Sequence, residues 1–376
     1  MPDRTIRQQV LSQVRRIVVK VGTHSICHDA GGLDRSTIRS LARQIARLIA
    51  AGRTVTLVVS GAIGVGIAEM GLDERPRNMP ALQAAAALGQ VALMRALRDI
   101  FARLDVRVGQ VLVTRDDFED RTRYLNIRNT LGALEEMGTL AIINENDAVA
   151  VDEIRYGDND IIAAHVANMI GAELLVFLTT VDGVMDGGTV MDVVKQVDDE
   201  AMELATDERS LLGSGGMASK IAAAGMVTRA GEIALIANAR APKVLRRIVE
   251  GKRIGTLFIP APRKLTPRKR WIGQASRPAG KLTIDAGAAR ALTEKGKSLL
   301  PTGILHVEGR FQKGATLSVL DADGNEIARG LTNYTADQLQ KIRGLRTTQI
   351  AQVLGDKPYD EVIHRNNMTV GLGRKR

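Results

Sequence analysis

The stretch Ile143-Asn-Glu-Asn-Asp-Ala-Val-Ala-Val-Asp-Glu-Ile-Arg-Tyr-Gly-Asp-Asn-Asp160 is the densest cluster of carboxylates and carboxamides in a chain of net positive charge. It begins where the apolar run Leu140-Ala-Ile-Ile143 gives out, which puts Asn144, Glu145, Asn146 and Asp147 at the C-terminal end of a strand. It ends on Gly157-Asp-Asn-Asp160, immediately before IIAAHVANMI, whose apolar spacing predicts a helix. Strand, polar loop and helix start are the parts of an α/β crossover. In open α/β sheets ligands bind outside the carboxyl ends of strands, and helix N-termini attract anions. An acidic solvated loop with Asp160 as an N-cap fits the same residues. On this stretch alone both readings stand.

Toward the N-terminus, Arg15-Arg-Ile-Val-Val-Lys-Val-Gly-Thr23 predicts a strand buried on both faces, interrupted by Lys20. A charge there must reach solvent along its stem or meet a negative partner. Residues 34–51 place Ile38, Leu41, Ala42, Ile45, Leu48 and Ile49 at helical spacing among arginines, closed by Gly52. Thr54 to Val59 is the next strand, and Ser60-Gly-Ala-Ile-Gly-Val-Gly66 leads into a helix. That turn leaves free N–H groups at the sheet edge, or serves close packing of helix on strand. Downstream the pattern repeats: helix 80–104, strand 106–113, helix 124–137, strand 139–143, helix 161–170, strand 174–178. Asp186-Gly-Gly188 between short apolar runs predicts a hairpin over 184–194. Repeated βα units to residue 240 predict a three-layer α/β/α domain on a mostly parallel sheet.

Composition agrees. Hydrophobic residues at 45% supply a core, and aromatics at 3% make it aliphatic. The single cysteine, Cys27, excludes an internal disulfide and a multi-cysteine metal site and points to a reducing compartment. No apolar run is long enough for a membrane span, and the N-terminus lacks the apolar core of a signal peptide. The net charge is +10, yet residues 240–281 hold thirteen Lys/Arg against Glu250 alone. The basicity is local, as in a linker or an anion-facing surface. After Lys281 the strands shorten (281–285, 303–307, 315–320, 326–330), predicting a small mainly-β module. The expected organisation is a polar extension at 1–14, an α/β domain at 15–260, a basic linker at 261–278, the β module at 279–360 and a basic tail at 361–376.

Gly213-Ser-Gly-Gly-Met-Ala-Ser-Lys220 precedes a helix. It lacks the strand that a dinucleotide loop follows, and Ser219 stands where a Walker A loop has glycine. A glycine run, a hydroxyl and Lys220 at a helix start favour phosphate; a flexible surface loop is the other reading. Two lysines, a glycine turn and a carboxylate loop make a set. Phosphoryl transfer asks of a protein mainly positive charge on the moving group and an aligned acceptor.

Lys20-Val-Gly-Thr23, Ser60-Gly-Ala-Ile63, Ile143-Asn-Glu-Asn-Asp-Ala-Val149, Gly157-Asp-Asn-Asp160 and Ser214-Gly-Gly-Met-Ala-Ser-Lys220, in this order and spacing, resemble the glutamate 5-kinases of the amino acid kinase superfamily. The C-terminal module resembles a PUA domain through Gly303-Ile304, Gly309 and Arg329-Gly-Leu331. The resemblance implies the amino acid kinase fold and ATP-dependent phosphorylation of the γ-carboxylate of L-glutamate in the cytoplasm, the first step toward proline. It implies Lys20 and Lys220 on the ATP phosphates, with Asp160 holding both. Ser60, Asp147 and Asn159 would bind glutamate, Asp147 taking the ammonium. Thr179, Thr180, Ser214, Gly215, Gly216, Met217, Ala218 and Ser219 would line ATP, whose phosphates carry Mg²⁺. A homo-oligomer, proline as feedback inhibitor and RNA binding by the PUA-like module are further implications.

Three departures bear on nucleotide affinity or base preference. Thr179-Thr180 replaces the usual Thr-Asp, so a carboxylate near the nucleotide is missing. The hairpin is short, and Ser214 and Ala218-Ser219 replace the usual Thr and Ser-Thr. Other superfamily kinases are one alternative, which the INENDAV and GDND segments oppose. An RNA-binding protein is another, opposed by the scarcity of aromatics for base stacking.

Overall fold

The computed structural model describes the whole chain except residues 1–4, 29–31, 73, 150–157, 198–200, 202–215, 263 and 372–376. It forms two compact units, residues 1–118 with 122–264, and residues 265–376 with 119–121. In the first, the elements run α1 (Ile6–Leu11), β1 (Arg16–Val21), α2 (Thr23–Ile26), α3 (Arg35–Ala50), β2 (Thr54–Val59), α4 (Ala62–Glu69), α5 (Met79–Ala102), β3 (Val108–Val113), α6 (Arg115–Glu119), α7 (Arg121–Glu136), β4 (Leu140–Glu145), α8 (Asp158–Ile170), β5 (Leu174–Thr179), β6 (Met185–Asp186), β7 (Thr189–Val190), β8 (Val193–Val194), α9 (Gly216–Arg229), β9 (Ile233–Asn238), α10 (Val244–Val249) and β10 (Thr256–Phe258).

The main sheet has the order β3-β4-β2-β1-β5-β9-β10-β8. Its pairs are parallel except β9–β10. The central strands are buried on both faces, which is why they read as unbroken apolar runs. In β5, Leu174 through Leu178 are at most 1% exposed. Each such side chain contributes about 1.5–3 kcal/mol of burial. β6 and β7 pair as the expected hairpin, with Gly187 and Gly188 at positive φ.

Helix α3 forms because Asp34 accepts from the N–H groups of Ser36 and Thr37, 3.0 Å each, and because Ile38, Leu41, Ala42, Ile45 and Leu48 share one buried face. The glycines after β2 answer a different need from the expected packing on a strand. A Cβ on Gly66 would lie 1.7 Å from the Ala85 carbonyl oxygen, and one on Gly89 1.8 Å from that of Ala62. They let the α4 and α5 backbones touch. Gly61 supplies the left-handed start of α4, φ 104°.

Three expectations are corrected. Residues 5–14 are no polar extension: Leu11 and Val14 lie in the core, and Arg7, 4% exposed, is bonded to Asp192, Ile254 and Gly255. Its charge reads as polar in sequence, but the surrounding carbonyls satisfy it inside. The run 261–278 is no linker from Leu265 on, since it opens the second unit with α11 (Pro267–Arg270) and a wide helical turn, Trp271–Ala275. Trp271 and Ile272 are buried, and the Thr369 hydroxyl donates to the Lys269 carbonyl at 2.7 Å. The run 361–376 is no free tail through residue 371, because Ile363 bridges Leu299 and the strand Met368–Val370 pairs with the strand Glu326–Leu331.

The second unit holds β11 (Gly280–Ile284), α12 (Ala286–Thr293), β12 (Ile304–Gly309), β13 (Thr316–Leu320), β14 (Glu326–Leu331), α13 (Ala336–Ile342), α14 (Ile350–Leu354) and β15 (Met368–Val370). Its sheet order is β12-β11-β13-β14-β15. Leu282, Ile284, Leu317, Val319 and Tyr334 centre its own core.

Candidate active site

The strand order decides which loops meet. At the carboxyl edge of the sheet, Asp147 follows β4, Ser60 follows β2, Gly22 follows β1, Thr179 ends β5 and Asn238 ends β9. Three strand spacings separate β4 from β5, about 14 Å. That row can take an amino acid and a polyphosphate end to end. β1 has β2 on one side and β5 on the other, so the chain reverses its winding there. Such a switch point is where a crevice opens. Two bonds tie the edge together: Ser60 N–H donates to the Val21 carbonyl and Gly22 N–H to that of Leu178, 3.2 Å each.

The centre of the row is a buried set of three charges. Lys20, paired in register between Val58 and Phe177, sends its ammonium to Asp160 Oδ1 at 2.7 Å. Lys220 Nζ reaches Asp160 Oδ2 at 3.2 Å and the Gly216 carbonyl at 2.8 Å. Asp160 is 0% exposed, Lys20 4% and Lys220 8%. Lys20 is therefore no solvent-reaching lysine. Asp160 is no N-cap either, being the third residue of α8, where the helix dipole favours its negative charge. Lys220 stands one turn inside α9 rather than at the end of a loop. Burial above all, and then repulsion from Lys20, lower the Lys220 pKa, while Asp160 opposes the shift.

The set carries a net charge of +1, and an ammonium has three donors. Among the described residues, Lys20 has Asp160 alone as a recorded partner. The neighbours of both ammonium groups include a glycine. A Cβ on Gly22 would lie 3.7 Å from Lys20 Nζ, and one on Gly216 equally close to Lys220 Nζ. A dry pair of ammonium groups with spare donors and bare backbone beside them can hold an anion whose charge is in motion.

The remaining expected residues distribute along the edge. Ser60 and Asp147 are each 9% exposed. Asp147 lines a cavity of about 750 Å³ with Glu145, Asn146 and Gln90. Asn159 stands in the first turn of α8, its Oδ1 buried and without a partner among the described residues. Thr179 is half-buried and Thr180 exposed, while Met217, Ala218 and Ser219 occupy the first turn of α9. Ser214 and Gly215 lie outside the described residues. The carboxylate missing at Thr180 has a neighbour two residues on: Asp182 Oδ1 accepts from Asn238 Nδ2 at 2.9 Å, at the end of β9.

One feature escaped sequence reasoning. Asn144, 1% exposed, donates to Gln90 Oε1 at 2.7 Å and accepts from Glu145 N–H, which anchors the end of β4 to α5. Only the position of Asn144 three residues before Asp147 hinted at it. Cys27 packs under the Gly61 turn, its thiol pushed up to about 11 by burial and then by Asp34, which makes it inert rather than nucleophilic.

Comparison with known proteins follows the same lines. The amino acid kinase family matches residues 15–238, and the PUA domain matches residues 280–354. A glutamate 5-kinase of Geobacter sp. (strain M21) is 43% identical over 372 residues, which cover 97% of this chain and 100% of that protein. One of Caldanaerobacter subterraneus subsp. tengcongensis is 44% identical over 362 residues, 94% of this chain and 97% of that protein. Among solved structures the likeness is looser: carbamate kinase from Giardia lamblia bound to AMP-PNP shares 18% identity at a TM-score of 0.46, over 66% of this chain and 100% of that one. Matched across its α/β unit by the family and along nearly its whole length by these relatives, the chain belongs to the amino acid kinase family and, within it, to the glutamate 5-kinases.

Proposed function

We propose that the protein transfers the γ-phosphoryl group of ATP to the γ-carboxylate of L-glutamate, forming γ-glutamyl 5-phosphate for proline synthesis. The observation that carries this reading is the pair of lysines held on the two oxygens of the buried Asp160, midway along the row from Asp147 to Thr179. The relatives' shared name supports the choice of glutamate. A side-chain carboxyl of pKa about 4.3 is already ionised at neutral pH. The acceptor oxygen therefore attacks phosphorus without a general base, the bond to the bridging oxygen of ADP breaks, and no proton moves. What the reaction needs is relief of repulsion between two anions, and Lys20 and Lys220 supply it. Asp160 holds both ammonium groups in place.

Asp147 and the open acceptor of Asn159 suit the substrate ammonium, and Ser60 with the turn after β2 suits its carboxylates. Thr179, Thr180 and residues 214–219 would line the nucleotide. Mg²⁺, when bound, would neutralise phosphate oxygens further. Asp160 has both oxygens on lysines, and no group of three or more His, Cys, Asp or Glu is placed to hold an ion among the described residues. The ion would be carried by the ATP phosphates.

The finer partner readings belong here too. Leu88 (52% exposed) and Val91 (71%) on α5 and Leu112 (39%) on β3 are large apolar side chains left exposed on the α/β unit, which supports a homo-oligomer. Proline as feedback inhibitor and RNA as a partner of the PUA-type unit rest on the family resemblance. No helix of the described residues is long and apolar enough to cross a membrane. A kinase of a free amino acid works where ATP is made available, and the cytoplasm is the compartment we propose.

The test is ADP release with glutamate, N-acetylglutamate and aspartate, with hydroxylamine trapping of the acyl phosphate. Glutamate alone should give both ADP and hydroxamate. Equal turnover of acetylglutamate, or ADP without hydroxamate, refutes the reading.

A further inference from the structure

Arg35, Arg39, Arg43 and Arg47 stand at successive i,i+4 positions on α3, and all four are exposed. Asp34, which precedes the stripe, is spent on the helix N-terminus. No ion pair is found for any of the four among the described residues, whereas Arg123 pairs with Asp117 and Arg246 with Glu250. Like charges one turn apart destabilise a helix. Four in line without a counter-charge run against the helix's own stability, a conflict that gathers at functional surfaces.

A second basic helix packs on α3. Leu245 N–H at the start of α10 donates to Gln44 Oε1 at 3.0 Å, and Leu245 and Ile248 share a core with Ile45 and Leu48. This contact seats α10, which carries Lys243 and Arg247, against α3. Over twelve residues the stripe is about 18 Å long, with a guanidinium roughly every 6 Å. A duplex carries a phosphate charge about every 1.7 Å of its axis, so the stripe spans several. Neither α3 nor α10 contains an aromatic residue on which a base could stack. Neither exposes a large apolar side chain that could enter a bilayer. What is left is contact with phosphates alone, the mode that positions without reading sequence.

We propose that the α3–α10 face of the α/β unit binds the phosphate backbone of a nucleic-acid duplex, independently of base sequence. The surface shares no residue with those assigned to catalysis and lies outside the PUA-matched segment.

The test is fluorescence anisotropy of the full chain with a labelled 20-bp RNA duplex, a DNA duplex of the same sequence and vesicles rich in phosphatidylserine, from 50 to 200 mM KCl. Both duplexes should bind, with affinity falling steeply in salt. Arg39→Gln/Arg43→Gln/Arg47→Gln should flatten the slope of log affinity against log salt by about 2.7, three contacts at about 0.9 each, with ADP release unchanged. Arg43→Glu, which creates favourable pairs with both neighbours and so protects the fold, should weaken binding as well. Absence of duplex binding at 50 mM salt, an unchanged slope in the triple variant, or binding to vesicles without either duplex overturns the proposal.

Discussion

Two buried cationic sites in the α/β unit differ in one respect, the use of their donors. Arg7 places four of its five guanidinium donors: Nε on Asp192 Oδ1, Nη1 on the Ile254 carbonyl, Nη2 on the carbonyls of Asp192 and Gly255. Lys20 and Lys220 are buried as deeply, yet share one carboxylate and retain donors with no recorded partner among the described residues. Donors met by an acid and three carbonyls mark a clasp, here holding the N-terminal helix to the sheet. A deficit marks a place where charge is to arrive. Burial alone does not tell the two apart, since an isolated buried charge is costly in either case.

The comparison can be broken, most severely at the lysines. Lys20→Ala or Lys220→Ala should lower turnover by about 10²–10³, the loss that follows removal of one preorganised charge stabiliser. Near-normal kcat in either would end the assigned role. Arg7→Ala should instead cost about 2–4 kcal/mol of stability by stranding buried carbonyls, read by urea unfolding, with turnover per folded molecule intact. A drop in turnover without a drop in stability would erase the distinction.

Histidine supplies a third kind of buried group, neutral and stacked. His165 lies against Phe118, ring centroids 4.9 Å apart, and burial first, then Arg115, lowers its pKa to about 4. The unfolded chain takes up this proton near pH 6.5, so the stabilisation is present above that pH and is lost as pH falls toward 4. The wild type should lose about 2 kcal/mol between pH 7 and 5 from this group, and His165→Phe should remove that part of the slope. An unchanged slope would show that other groups carry it.

Two smaller effects sharpen the picture. The Lys220 pKa is lowered, so below it the folded state bears the cost of a buried charge, and stability rises as pH climbs through the window between the folded value and the ordinary lysine value of 10.5. Turnover should fall over the same window, because the neutral amine no longer attracts phosphate. In Lys220→Arg that alkaline limb should vanish; its persistence would assign it elsewhere. Asp147→Ala should raise the glutamate KM more than the ATP KM, and equal shifts would detach Asp147 from the amino acid.

Much of the site was legible because its residues defy their surroundings. Lys20 interrupts an apolar strand, and Asp147 and Asp160 close an acidic loop in a basic chain. The pairing partner of Gln90 was not legible, since a glutamine in a long helix is unremarked until a strand end 54 residues away meets it. Domain edges misled for a similar reason. Charge and proline near residues 5–14 and 261–278 read as exposed, while Arg7 and Trp271 are buried by contacts far along the chain.

The amino-acid sequence by itself determined the βα repeat, the apolar strands and the residues that had to find charged partners, because periodicity and hydrophobicity are local properties. Only the tertiary structure decided that both ammonium groups meet one carboxylate. Whether Asp160 caps a helix or holds two lysines depends on strand order: β1 and α8 meet at the switch point, α9 packs along α8, and a side chain 140 residues from Lys20 comes within 2.7 Å of it. No local pattern contains that distance.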